Sequence, residues 1–233
     1  MVHSIKLTYF NIEAAAEPTR LALALAGQKY EDDRIEFKDW PTLKPKTPYG
    51  AVPLMVIDNG PVKTQSMAML RWVGSECSKT LYPPDKLYDI EEALGVLGDL
   101  DRSWSPNMYM GMRPQMFGYP EGYNKTEEGK EKIKLMRQEW VQKELPDYLS
   151  RIEGLLDRAA DSGGNWLVPG AKEPTIADCY AVAQLRAFTR GHIDHVDTKC
   201  LETHPKVVAY CKKFCALPPI QGRYTNGIGS PAY

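Results

Sequence analysis

The chain has 233 residues, 43% of them hydrophobic and 25% charged, with a net charge of −1 at neutral pH. This is enough chain for two small domains or one large one, and the charge supplies no basic field for nucleic acid or an anionic membrane. No apolar run reaches the roughly 18 residues of a membrane-spanning helix, and MVHSIKLTYF leads directly into a strand pattern without the apolar stretch of a signal peptide. Five cysteines, odd in number and never spaced C-x-x-C, suit a reduced, cytoplasmic protein. Cys211 and Cys215 fall on one helix face, where packing is the simpler reading than redox or metal chemistry. The four histidines do not cluster with them, so no metal site is expected.

In chain order, IKLTYF (residues 5–10) reads as a strand. AEPTRLALALAGQ follows with apolar positions at helical spacing, Pro18 in its first turn and Gly27 as its stop. YEDDRIEF returns to extended structure, and the βαβ order implies a right-handed crossover and parallel strands. PLMVID-NG-PVKT then carries the Asn-Gly signal of a hairpin, which supplies a third and a fourth strand. SMAMLRWVGSEC finishes this region as a helix. The plan is that of a thioredoxin-like α/β domain with a mixed four-stranded sheet, spanning residues 1–79.

TLYPPDK (residues 80–86) is proline-rich and reads as a linker, and residues 87–233 read as an all-helical domain. LYDIEEALGVLGDLDRSW is a long amphipathic helix candidate, and residues 125–160 form another with a solvated, charge-alternating face. TIADCYAVAQLRAF starts with Thr175 and, three residues on, Asp178, the spacing of a capping box. HPKVVAYCKKFCAL is a last helix, and residues 222–233 are a tail.

Pro53 is the anomaly. It opens a strand, where prolines sit at edges, first positions or bulges. Together with KLTYFN, AEPTRLALALAGQKYED, DWPTLKPKTPYGAVPLM, TQSMAMLRWVG and EPTIADCYA it explains itself: in this order and spacing the chain resembles the cytosolic glutathione transferases, most closely the sigma-like class. The resemblance covers nearly the whole chain. It implies glutathione as cosubstrate, no metal, and a homodimer.

The resemblance also implies a site. A cis bond between Val52 and Pro53 turns the Val52 backbone outward, where it can pair with the extended glutathione peptide as an added strand. Gln65 and Ser66 stand where a helix begins, and the unpaired N–H groups of a helix start suit the γ-glutamyl carboxylate; alone, Ser66 reads as a helix cap. Trp40 and Lys44 match positions at the glycyl end. Tyr9, at the end of the first strand, would donate its hydroxyl to the glutathione sulfur and favour the thiolate; alone, it reads as core. Ala15 stands where sigma-like relatives commonly have arginine, so no cation is available at that position and Glu13 adds a negative charge nearby; thiol activation is then either weaker or supplied from elsewhere. Asp101, in preference to Asp99, would reach the glutathione α-amino group across the dimer, and Tyr49 is a candidate key into the partner subunit.

WSPNMYMGMRPQMFGY (residues 104–119) is rich in methionine and aromatic side chains. Adaptable apolar groups suit varied electrophiles, and Phe10, Met108, Tyr109, Met112 and Phe117 are the expected pocket lining. Helix packing is the plain alternative for any one of them, and the tail is the alternative site. The function implied is conjugation of glutathione thiolate to apolar electrophiles. Two alternatives stay open: a glutathione-dependent isomerase resembling prostaglandin synthases, and a non-catalytic ligandin- or crystallin-like binding protein.

Overall fold

The computed structural model describes residues 2–223, and the tail beyond Arg223 lies outside them. Strand β1 (Ile5–Phe10) alternates buried and half-buried residues, turning Ile5, Leu7 and Tyr9 into the core. Helix α1 (Glu17–Leu25) takes Pro18 in its first turn, where a missing N–H costs nothing. It stops at Gly27, whose φ of 63° is the left-handed conformation that glycine adopts freely. β2 (Glu31–Ile35) pairs parallel with β1 from Lys6↔Glu31 to Phe10↔Ile35. A short helix, α2 (Trp40–Leu43), precedes β3 (Leu54–Ile57), which pairs antiparallel with the other edge of β1 from Ile5↔Ile57 to Thr8↔Leu54. Helix α3 (Ser66–Glu76) completes the thioredoxin-like layer.

Among the described residues the sheet has three strands in the order β2-β1-β3, not the expected four. The hairpin turn itself forms: Asp58 and Asn59 both have positive φ (51° and 56°), and the Gly60 N–H bonds the Ile57 carbonyl at 2.8 Å. The returning arm then meets β3 only at Lys63, which exchanges two backbone bonds with Met55. Pro61 has no N–H to give a ladder, and at Gln65 the backbone swings to φ 72°. One bridge is all that fits between these two interruptions.

The helical layer opens with α4 (Leu87–Met112), which runs through Pro106 and eight residues past the expected end at Trp104. The stretch read as one helix over residues 125–160 is two, α5 (Glu127–Lys143) and α6 (Leu145–Asp161). Pro146, in the first turn of α6, cannot continue the ladder of α5. α7 (Ile176–Thr189), α8 (Pro205–Cys215) and the short α9 (Pro218–Gln221) follow. The capping box forms: Asp178 accepts the Thr175 N–H at 2.7 Å, and Thr175 Oγ1 accepts the Ala177 N–H at 3.2 Å. Such a cap contributes about 1 kcal/mol.

Helix α7 packs against both α1 and α4 and so joins the sheet layer to the helical one. Residues 80–86 are no loose tether. Leu81 is buried, and its carbonyl accepts the Ile176 N–H at 2.9 Å. Gly74 allows α3 to approach: a Cβ there would lie 2.6 Å from Ile176 Cγ2. Among the described residues, no helix is long and apolar enough to cross a membrane.

Candidate active site

The strand register brings three predicted residues together at one end of the sheet. Thr8 pairs with Leu54 and Met55 bridges Lys63, so Tyr9 and Pro53 lie one residue, and Gln65 two residues, beyond the last paired positions. The Val52–Pro53 bond is cis. β3 begins only at Leu54, and among the described residues the Val52 N–H and C=O have no backbone partner.

Gln65 has φ 72° and ψ 101°, outside the regions an L-residue prefers. Holding a non-glycine residue there costs about 1–3 kcal/mol, and such positions cluster at functional sites. It immediately precedes α3. The first intrahelical bond is Met69 N–H to the Gln65 carbonyl, at 3.0 Å, and no side chain caps the helix. The N–H groups of Ser66, Met67 and Ala68 therefore end the helix with positive partial charge, with the Ser66 hydroxyl beside them. This is chemistry for a carboxylate.

Tyr9 is 7% exposed. Burial raises its pKa, against the opposing pull of the Ala15 amide and of Arg20; Tyr109 adds to the rise. The phenol therefore keeps its proton at neutral pH and is equipped to donate a hydrogen bond rather than to take up a proton. Its ring packs edge-on against Phe10, with centroids 5.5 Å apart. Phe10 in turn stacks on Phe37 at 4.4 Å and meets Trp40 edge-on at 5.4 Å. The end of β1 is thus walled by aromatic rings. Lys44 is exposed in the turn after α2, with its stem along Gly50, and Tyr49 stands exposed nearby.

Of the pocket candidates, Met108, Tyr109 and Met112 share one face at the end of α4, as helical spacing requires, while Met110 points away to pack with Tyr123 and Ile133. Tyr109 lies close enough to Tyr9 to act on its titration, and Arg113 sits 5.9 Å over the Tyr109 ring. Met108, Met112 and Phe117 are all exposed. Asp101 accepts a hydrogen bond from Tyr180 of its own chain at 3.2 Å. Although the residue as a whole is exposed, its carboxyl sits in the groove between α4 and α7; burial there raises its pKa, against the hydrogen bonds from Tyr180 and Gln184. Asp99 pairs with Arg102.

Two sequence-family models match the chain: Glutathione S-transferase, N-terminal domain, over residues 15–76, and Glutathione S-transferase, C-terminal domain, over residues 120–224. The chain belongs to the glutathione S-transferase family. It is 29% identical over 234 residues to a glutathione S-transferase class-mu 28 kDa isozyme of Schistosoma japonicum, covering 98% of this chain and 100% of that one. It is 48% identical over 71 residues to hematopoietic prostaglandin D synthase of Gallus gallus, covering 30% of this chain and 35% of the other. A crystal structure of the glutathione S-transferase from Ascaris lumbricoides superposes with a TM-score of 0.69 at 26% identity, covering 94% and 95% of the two chains. Within this glutathione S-transferase, Pro53, Gln65 and Ser66 fall inside the N-terminal match, whereas Tyr9 and residues 101–117 fall outside both.

Two charged residues stand around Tyr9 and the turn that follows β1 in this family member. A cation does stand at Tyr9: the guanidinium of Arg20 lies 5.8 Å from the ring centre. Arg20 is fully buried, held by Asp32 at 3.0 Å, Glu17 at 3.4 Å and the Ile12 carbonyl at 2.7 Å. The signal was an arginine inside the apolar pattern of AEPTRLALA, where a buried charge needs partners. Glu13, expected to add a negative charge near Tyr9, is buried between Arg186 of α7 and Arg190 just past its end, with Oε1 3.3 Å from both. Burial, and next the charge of Glu17, raise its carboxyl pKa, against the two arginines.

Proposed function

We propose that this protein is a cytoplasmic, homodimeric glutathione transferase of the sigma-like class that joins glutathione to apolar electrophiles. Residues 1–79 bind glutathione, residues 80–86 link, and residues 87–233 carry the electrophile site. What supports this is one juxtaposition: a buried phenol, a strand start with unpaired backbone and an uncapped helix start converge at the same end of the sheet. Val52 holds the cysteinyl backbone of glutathione, α3 with Gln65 and Ser66 holds the γ-glutamyl carboxylate, and Trp40 and Lys44 hold the glycyl end. Asp101 serves the partner subunit's glutathione, and Tyr49 packs across the dimer.

A free thiol has a pKa of about 8.5 and is mostly protonated at neutral pH. Tyr9 donates its hydroxyl hydrogen to the sulfur, so the thiolate is favoured. The thiolate attacks an electrophilic carbon; a sulfur–carbon bond forms and the leaving group departs with its electron pair. Phe10, Met108, Tyr109, Met112 and Phe117 hold the electrophile over the sulfur, and holding the reactants together supplies the remaining acceleration. A second reading, isomerisation by the same thiolate without net use of glutathione, is favoured by the match to the avian prostaglandin D synthase. Titrating glutathione consumed against product formed separates the two. Conjugation consumes one glutathione per product, and isomerisation consumes none.

A further inference from the structure

The short turn after β1 is pinned from two sides. From α1, Arg20 Nη1 donates to the carbonyls of Ile12 at 2.7 Å and Glu13 at 3.5 Å. From the other side, Arg186 of α7 and Arg190 just past the end of α7 each reach Glu13 Oε1 at 3.3 Å. Between the pins, Ala14 has a φ of 37°, a left-handed conformation that an alanine adopts only when its surroundings impose it. The turn carries Ala15, whose backbone amide lowers the pKa of the Tyr9 phenol. Glu13 is 4% exposed, so this anchor is desolvated, where an ion pair is geometrically demanding.

We propose that Glu13 is a positioning residue for catalysis: its bridge to Arg186 and Arg190 of the helical layer holds the Ala15 amide and the Arg20 guanidinium against Tyr9. This rests on the reading of Tyr9 as the donor to sulfur. A positioned amide N–H and a guanidinium withdraw charge from the phenol oxygen and make its O–H a stronger donor. In this chain the pair occupies the role that a side-chain cation at position 15 would otherwise fill. The charged and titratable groups facing Glu13 are Glu17 and Arg20 of α1, Arg186 of α7, Arg190 just past the end of α7, and Cys215 of α8.

The sign of one measurement separates positioning from a direct charge effect. Removing a negative charge near the site would, acting directly, favour the thiolate and lower the thiol pKa of bound glutathione. Loss of positioning raises it. The experiment follows thiolate absorbance against pH in the full-length protein with glutathione bound, for wild type, Glu13→Ala, Tyr9→Phe and the double variant. We expect Glu13→Ala to raise the thiol pKa and lower kcat severalfold near neutral pH, with the glutathione Kd little changed. In the Tyr9→Phe background the same substitution should add no further pKa shift, because the group it positions is gone; such non-additivity is the mark of coupled residues. Glu13→Gln keeps the volume and one acceptor, so it should shift the pKa in the same direction by less, and it serves if the alanine variant does not fold. An unchanged or lowered thiol pKa in the Glu13 variants, with Tyr9→Phe still raising it, overturns the inference alone. If Tyr9→Phe itself leaves the pKa unmoved, the reading of Tyr9 falls first and takes the inference with it.

Discussion

Replacing Tyr9 by phenylalanine removes one oxygen from a ring that otherwise stays packed against Phe10 and beneath Arg20. The fold should survive, since the ring still fills its place in the core. What is lost is the hydroxyl proposed as the donor to sulfur. Burial holds the Tyr9 hydroxyl protonated well into the alkaline range, so the whole population of sites carries that donor at neutral pH. A hydrogen bond to a charged group contributes about 1.5–3 kcal/mol, and 1.36 kcal/mol is one pKa unit. The thiol pKa of bound glutathione should therefore rise by about one to two units in Tyr9→Phe. If chemistry limits turnover, kcat near neutral pH falls by about ten- to hundredfold, and raising the pH recovers part of the loss as the thiol ionises unaided. Glutathione affinity should change little, because the proposed site assigns the peptide to Val52, α3 and Lys44. The assay is thiolate absorbance titrated against pH, paired with kcat over the same range. A thiol pKa equal to that of wild type would refute the reasoning, whatever happened to kcat.

Ser66→Ala should do the reverse, weakening glutathione binding more than turnover; an unchanged calorimetric Kd would remove the hydroxyl from the glutathione site. Tyr109→Ala should raise KM for a bulky apolar electrophile severalfold while KM for glutathione stays level, and a loss confined to glutathione binding would put the pocket elsewhere. Ala15 is exposed, so Ala15→Arg can add a second cation without disturbing the core; the bound thiol pKa should fall and activity near neutral pH rise. An upward shift in that variant would show that the backbone amide, and not charge, is what Tyr9 requires.

Much of the fold was legible because local chemistry decided it. Pro18 and Gly27 bracket α1, and Thr175 with Asp178 starts α7 through side chains three residues apart. The fourth strand was misread because Asn59-Gly60 marks a turn and says nothing of how far the returning arm will pair. Pro146 could have divided the long charged segment, but the same charge pattern continues on both sides of it. The cis bond at Pro53 and the helix start at Ser66 could be read from the sequence. The electrostatic half could not. Arg20 gathers partners from β2, α1 and the intervening turn, and Glu13 meets Arg186 across 173 positions of sequence. Ion pairs of that reach leave no periodicity or spacing to find. Asp101 shows the same limit, since its partner Tyr180 arrives from another helix 79 positions away.

The central claim is that the protein transfers glutathione to carbon. Its most direct test is to mix the purified full-length chain with glutathione and chlorodinitrobenzene and to follow both the conjugate formed and the glutathione lost. Conjugate is expected well above the spontaneous rate, with one glutathione consumed for each product and most of that rate gone in Tyr9→Phe. Conjugate forming only at the spontaneous rate, in protein shown by calorimetry to bind glutathione, would contradict it.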